Sequence, residues 1–191
     1  MKKKLKSFIG LVICFIFVGC NVSEESDIDL TQLEKIEVRQ SSSGIIEGPF
    51  SFRVVSEKEV YEVGEEVKMY GELRYNGEKD AISITTGGSA INFYIKEKIR
   101  NKHVVNITED IAIMRELEKN NPIKVQYVKN SFYLEGEDKG NHLFMEEFHN
   151  EDGFPTGYYI VKGVAEFVAN IDGENKTIRL ETDIDFKVVQ D

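Results

Sequence analysis

Three histidines, His103, His142 and His149, are the residues best suited to proton transfer near neutral pH, and two lie among carboxylates: His142, Glu146, Glu147, His149, Glu151 and Asp152. Imidazole and carboxylate together suit zinc, which needs three or four converging ligands. Read as a strand, the segment sends His142 and Glu146 to one face and Glu147 and His149 to the other. At most two ligands then meet, and the cluster reads as a polar edge and loop. Nucleophilic hydrolysis requires a hydroxyl, an imidazole base and an orienting carboxylate. No G-x-S-x-G elbow occurs, and Gly88-Ser89-Ala90 reads as an ordinary turn. Calcium requires a ladder of alternating oxygen ligands with a glycine at its bend. Glu135, Glu137 and Asp138 before Gly140, and Asp172 and Glu174 around Gly173, lack that ladder and read as solvated acidic loops. The expectation is a chain with no catalytic residue, no metal and no cofactor.

The chain that must position any such groups has 191 residues, 41% hydrophobic and 30% charged, enough apolar material for one packed core. Its 24 basic and 34 acidic side chains give a formal charge of −10. That balance argues against nucleic acid as a partner, because a phosphate backbone needs a positive face.

Charge is not spread evenly. Lys2, Lys3, Lys4 and Lys6 precede an apolar run from Phe8 to Val18 that ends in Gly19-Cys20. A basic start followed by roughly a dozen apolar residues fits a secretory signal, whereas a membrane-spanning helix needs about 20. Phe17-Val18-Gly19-Cys20 resembles the lipobox of bacterial lipoproteins, with Phe17 where that family more often has Leu. The resemblance implies cleavage after residue 19, a diacylglyceryl thioether on Cys20 and a domain held at the extracytoplasmic face of a bacterial membrane. Cys14 would leave with the signal, as would four of the 24 basic residues and no acidic one, so the mature chain carries 20 basic and 34 acidic side chains, a formal −14. An anionic body is repelled by an anionic membrane, so the lipid must do the holding. In such a protein the sequons at Asn106-Ile107-Thr108 and Asn175-Lys176-Thr177 are expected to be chance matches. Residues 20–47, where Ser and Glu predominate with Asp, Gln and the Ser41-Ser42-Ser43-Gly44 run, read as a flexible linker spanning roughly 25 to 30 Å for about 26 residues of coil.

Residues 48–191 read as one all-β domain. Val67, Met69, Leu73 and Tyr75 alternate with Lys68, Tyr70, Glu72 and Arg74, and the run stops at Asn76-Gly77, a hairpin signal, before resuming at Ala81 to Ile84. Further strands are predicted at Ile91–Ile95, Val104–Ile107, Ile123–Val128 and Tyr158–Ala169, the last joined through Asp172-Gly173 to an alternating strand over Ile178–Val188. The segment Ile111–Glu118 fits helix or strand, and strand is preferred. With 12 Phe, 8 Tyr and no Trp, the interior is expected to rest on phenylalanine and aliphatics.

Two motifs carry a family resemblance. Val60-Tyr61-Glu62-Val63-Gly64-Glu65-Glu66-Val67 looks like the x-G-E-x-V strand entry of bacterial immunoglobulin-like domains, and Pro155-Thr156-Gly157-Tyr158-Tyr159 like their P-x-G-x-Y entry into a late strand. Together they resemble the bacillus intracellular subtilisin-inhibitor family over roughly Phe50 to Val189. The resemblance implies an immunoglobulin-like antiparallel β-sandwich. Val63 and Phe154 stand where that family favours Pro. Gly64 and Gly157 can take positive φ at strand entries. Tyr159 suits either a tyrosine corner or a plain core position.

The expected function is that of a non-catalytic binding module for a protein partner, displayed at the membrane. The candidate contact surfaces are the Thr86-Gly87-Gly88-Ser89 loop and the long connection from Glu135 to Phe154, with Phe144, Met145 and Phe148 as partner-binding residues. Protease inhibition, and binding of a metal or small ligand through His142 and His149, are the alternatives.

Overall fold

A computed structural model describes residues 30–104, 111–130, 139–150 and 152–190. In chain order the elements are α1 (Leu30–Lys35), β1 (Ser42–Glu47), β2 (Phe50–Ser56), β3 (Val60–Glu62), β4 (Met69–Tyr75), β5 (Ala81–Thr86), β6 (Asn92–Glu97), β7 (Lys102–Val104), β8 (Ile113–Glu118), β9 (Ile123–Gln126), α2 (Lys139–Asn150), β10 (Gly157–Ile171) and β11 (Glu174–Val189). They form an all-β sandwich. One sheet runs β1-β2-β4-β9; the other runs β3-β11-β10-β5-β8, with β6 also pairing β10 and β7 lying beyond β6. The chain crosses between sheets from β2 to β3: β2 pairs β4 antiparallel, and β3 pairs β11 parallel.

Alternation builds the core. Phe50, Phe52 and Val54 from β2 meet Val161, Phe167, Ile184 and Phe186 from β10 and β11, all buried. The interior is largely phenylalanine and aliphatic, as expected. The β10–β11 ladder runs unbroken from Gly157↔Val188 to Ile171↔Glu174, and Asp172 and Gly173 close it at φ of 52° and 87°, the paired positive values of a tight hairpin turn. Gly64 also takes positive φ, at 82°. Gly157 does not; a Cβ there would lie 2.9 Å from Glu97 Cγ, so its role is close approach.

Three expectations are corrected. Asn76-Gly77 is no hairpin, because β4 and β5 lie in different sheets; Asn76 N–H donates to Pro49 O at 2.7 Å and its side chain to Ser51 Oγ at 2.9 Å, which ties the turn to β2. The linker reading fails over 30–47: β1 pairs with β2 along its whole length, Leu33 is buried, and Lys187 Nζ donates to Ile36 O at 2.8 Å. The long connection before Phe154 holds α2 rather than a strand. Of the strand predicted at 104–107, Val104 lies in β7, and Val105–Ile107 lie outside the described residues. The ambiguous 111–118 segment does supply a strand, β8.

Candidate functional site

The register of β6, β10 and β11 sets what faces solvent on the second sheet. Side chains across the outer face form rows, one of His103, Lys96, Ile160 and Asp185 and the next of Tyr94, Lys162 and Asp183. Here a cleft of ≈ 280 Å³ is lined by Tyr94, Lys96, Lys98, His103, Ile160 and Lys162, with Val104 and Asp183 at its sides. Tyr94 is 54% exposed. Lys162 Nζ lies 3.6 Å from Glu181. Lys96 and Lys98 make no ion pair among the described residues.

A second cleft, ≈ 630 Å³, opens on the same face where β10 passes from pairing with β6 to pairing with β5. Thr85, Thr86, Ser89, Asn92 and Thr177 give it a hydroxyl and amide lining, with Glu166 at the side. Arg115 of β8 fixes its loop, donating from Nε to Thr86 Oγ1 and from a terminal nitrogen to Gly88 O, each at 3.1 Å. Ser89 Oγ donates to Ile91 O at 2.6 Å rather than to an imidazole.

Two buried carboxylates lock the framework around these clefts. Glu97 is fully buried and accepts from the backbone N–H groups of Ile99, Arg100 and Tyr158 at 3.0, 2.6 and 3.2 Å. Arg100 lies 3.5 Å from it and reaches onward to Glu147 at 3.0 Å and Thr156 O at 2.9 Å, with its guanidinium 4.8 Å from the Phe144 ring. Asp185 accepts from Arg39 N–H and Gln40 N–H, each at 2.9 Å, and from Tyr158 Oη at 2.7 Å. Burial, and then the hydrogen bond to Asp185, push the Tyr158 phenol up to about 12. Tyr159 is a tyrosine corner: its ring is buried and its hydroxyl donates to Pro155 O, four residues upstream, at 2.7 Å. Burial holds that hydroxyl well above its ordinary pKa.

Phe144, Met145 and Phe148 do not form a contact surface. They are buried to 1%, 1% and 0% exposure on the inner face of α2, and Phe148 packs on Phe154 with ring centroids 4.6 Å apart. The helix closes one end of the sandwich. His142, Glu146, Glu147 and His149 occupy its solvent side, and Glu147 is engaged by Arg100. Among the described residues no three His, Cys, Asp or Glu side chains are placed to hold a metal. Asp172 and Glu174 sit at the exposed hairpin turn, and Asn175 accepts from Asn170 there at 3.0 Å. Cys20, Asn106, Glu135, Glu137, Asp138 and Glu151 lie outside the described residues. Among those residues no helix is long and apolar enough to cross a membrane. The sequence did single out the Thr86–Ser89 loop, which lines the larger cleft; it gave no sign of the lysine cleft, whose members come from β6, β7, β10 and the loop after β6.

No protein-family model matches the chain, and no curated protein matches it. Among solved structures, a protein from Archaeoglobus fulgidus aligns over 79% of this chain and 97% of its own, at 9% identity and a TM-score of 0.29, a likeness too remote to bear on fold or function.

Proposed function

We propose that this chain is a bacterial envelope lipoprotein, anchored through lipid on Cys20, whose immunoglobulin-like sandwich binds a protein partner through the outer face of the β3-β11-β10-β5-β8 sheet. The observation that carries this reading is the pairing of an exposed Tyr94 with Lys96 and Lys98, cations left without an ion-pair partner among the described residues of a chain whose formal charge is −10. Tyrosine is enriched at recognition surfaces, and a patch of one charge beside it steers a partner of the opposite charge. The basic start, short apolar run and Gly19-Cys20 support the anchor. The test is photo-crosslinking in intact cells, with a photoreactive residue at position 94 and, for comparison, at Arg74 on the other sheet. A discrete adduct from 94 and none from 74 is expected; adducts from neither position, or equally from both, remove the reading.

Protease inhibition draws on a different observation, the exposed Gly87-Gly88 turn that Arg115 holds in one conformation, since an inhibitory loop must resist deformation in a protease cleft. Titration of the purified protein against a subtilisin-like enzyme decides it, and an unchanged rate of hydrolysis ends it.

A further inference from the structure

Resting on the reading of this face as a protein-binding surface, we propose that the cleft between β7 and β10 takes an acidic peptide segment, with a carboxylate on Lys96 and Lys98 and an apolar side chain laid against Ile160 and Tyr94. Three features select this occupant. First, the two ammonium groups have no carboxylate of their own among the described residues, while Lys162 on the same face is paired with Glu181, Arg179 with Glu166 and Glu181, and Lys187 donates to Ile36 O. Second, the floor is apolar, with Ile160 beneath and Val104 beside it, so a bare inorganic anion would leave it uncovered. Third, the cleft measures ≈ 280 Å³, the scale of one or two side chains. A flat anionic bilayer would meet the negative charge of the whole body before reaching it, whereas a single side chain enters alone. Asp183 stands across the strand pair from Lys162, which sets the anion's place on the β6 side of the cleft.

The test uses the full-length protein in detergent and a fluorescein-labelled Asp-Glu-Leu-Glu-Asp peptide, followed by anisotropy. Inorganic phosphate, phosphatidylglycerol vesicles and a Lys-Arg-Leu-Arg-Lys peptide form the comparison arms. Saturable binding of the acidic peptide alone is expected, weakened about tenfold between 50 and 500 mM salt because both partners are solvent-exposed. The Lys96→Ala/Lys98→Ala double variant should lose about tenfold in affinity, and charge reversal at both positions more, while Lys176→Ala on the distant hairpin leaves it unchanged. No saturable binding, equal loss in Lys176→Ala, or capture of vesicles or phosphate in place of the peptide each overturns the proposal. Thermal unfolding of every variant guards against a folding defect. If the adduct from position 94 persists in the double variant while the peptide fails to bind, the acidic occupant is wrong and the protein-binding reading stands; if no adduct forms, the reading itself falls.

Discussion

On the outer face of the β1-β2-β4-β9 sheet, Arg53 and Arg74 close on Glu72 from either side, and the carboxylate between them is only 6% exposed; Lys124 Nζ sits 3.6 Å from the centroid of the Tyr70 ring beside them. On the outer face of the other sheet, Lys96 and Lys98 stand over an apolar cleft with no such closure among the described residues. Both surfaces use long cations and a tyrosine. The first consumes its charge internally and behaves as structure; the second holds two lysines with no carboxylate paired to them among the described residues. Presence of basic residues on a strand therefore says little about binding, and the register that decides their neighbours says much.

The sharpest way to break this contrast is to remove charge from each face and compare costs. Glu72→Ala strands two guanidinium groups around an emptied site and is expected to lower stability by about 2 kcal/mol, less than for a fully buried pair because both arginines remain near half exposed. Urea titration measures it, and a loss below about 0.5 kcal/mol would make the two faces equivalent. The same carboxylate should be visible in acid. Burial alone would raise the Glu72 pKa, yet the hydrogen bonds from Arg74 and Arg53 outweigh it and hold the group below its ordinary 4.5. With the folded pKa depressed, its contribution is present above about 4.5 and disappears as pH falls through the folded value. Glu72→Gln should flatten the acid limb of stability against pH; an unchanged limb counts against the clamp.

The distinction between partnered and unpartnered polar groups extends to the core. Tyr159→Phe removes a bond to Pro155 O and is expected to cost about 1 kcal/mol. Tyr127 has a buried hydroxyl without a partner among the described residues, and burial raises its pKa. Tyr127→Phe should be neutral or gain about 0.5 kcal/mol. Opposite signs in thermal unfolding would sharpen the contrast, and equal losses would blunt it. Smallest of all, Lys96→Ala and Lys98→Ala should each change stability by no more than about 0.5 kcal/mol, the range of surface positions without partners. A larger loss would mean these lysines serve the fold.

The sandwich was legible in the sequence where a strand's partner is its chain neighbour. Alternation over Tyr158–Val188 and the Asp172-Gly173 turn are local signals, and the β10–β11 ladder follows them residue for residue. Asn76-Gly77 is an equally good local signal and misleads, because the strand after it joins the opposite sheet. Ser42, Ser43 and Gly44 are poor strand formers that β2 recruits by pairing; Ser43 Oγ then meets Thr182 Oγ1 at 2.7 Å. The helix α2 had left a trace: Phe144, Met145 and Phe148 lie at i, i+1 and i+4, the spacing of one buried helical face. The lysine cleft left none, since Lys96, His103 and Lys162 meet only through the register of three strands.

The clamp of Asp185 on Arg39 and Gln40 joins positions 145 and 146 residues apart, and Lys187 reaches Ile36 across 151. Such closure sets an order of events in folding. The segment from Ile36 to Gln40 has no acceptor or donor for these bonds until β11 is in place, so this margin of the domain is completed late and slowly, as its long sequence separations demand.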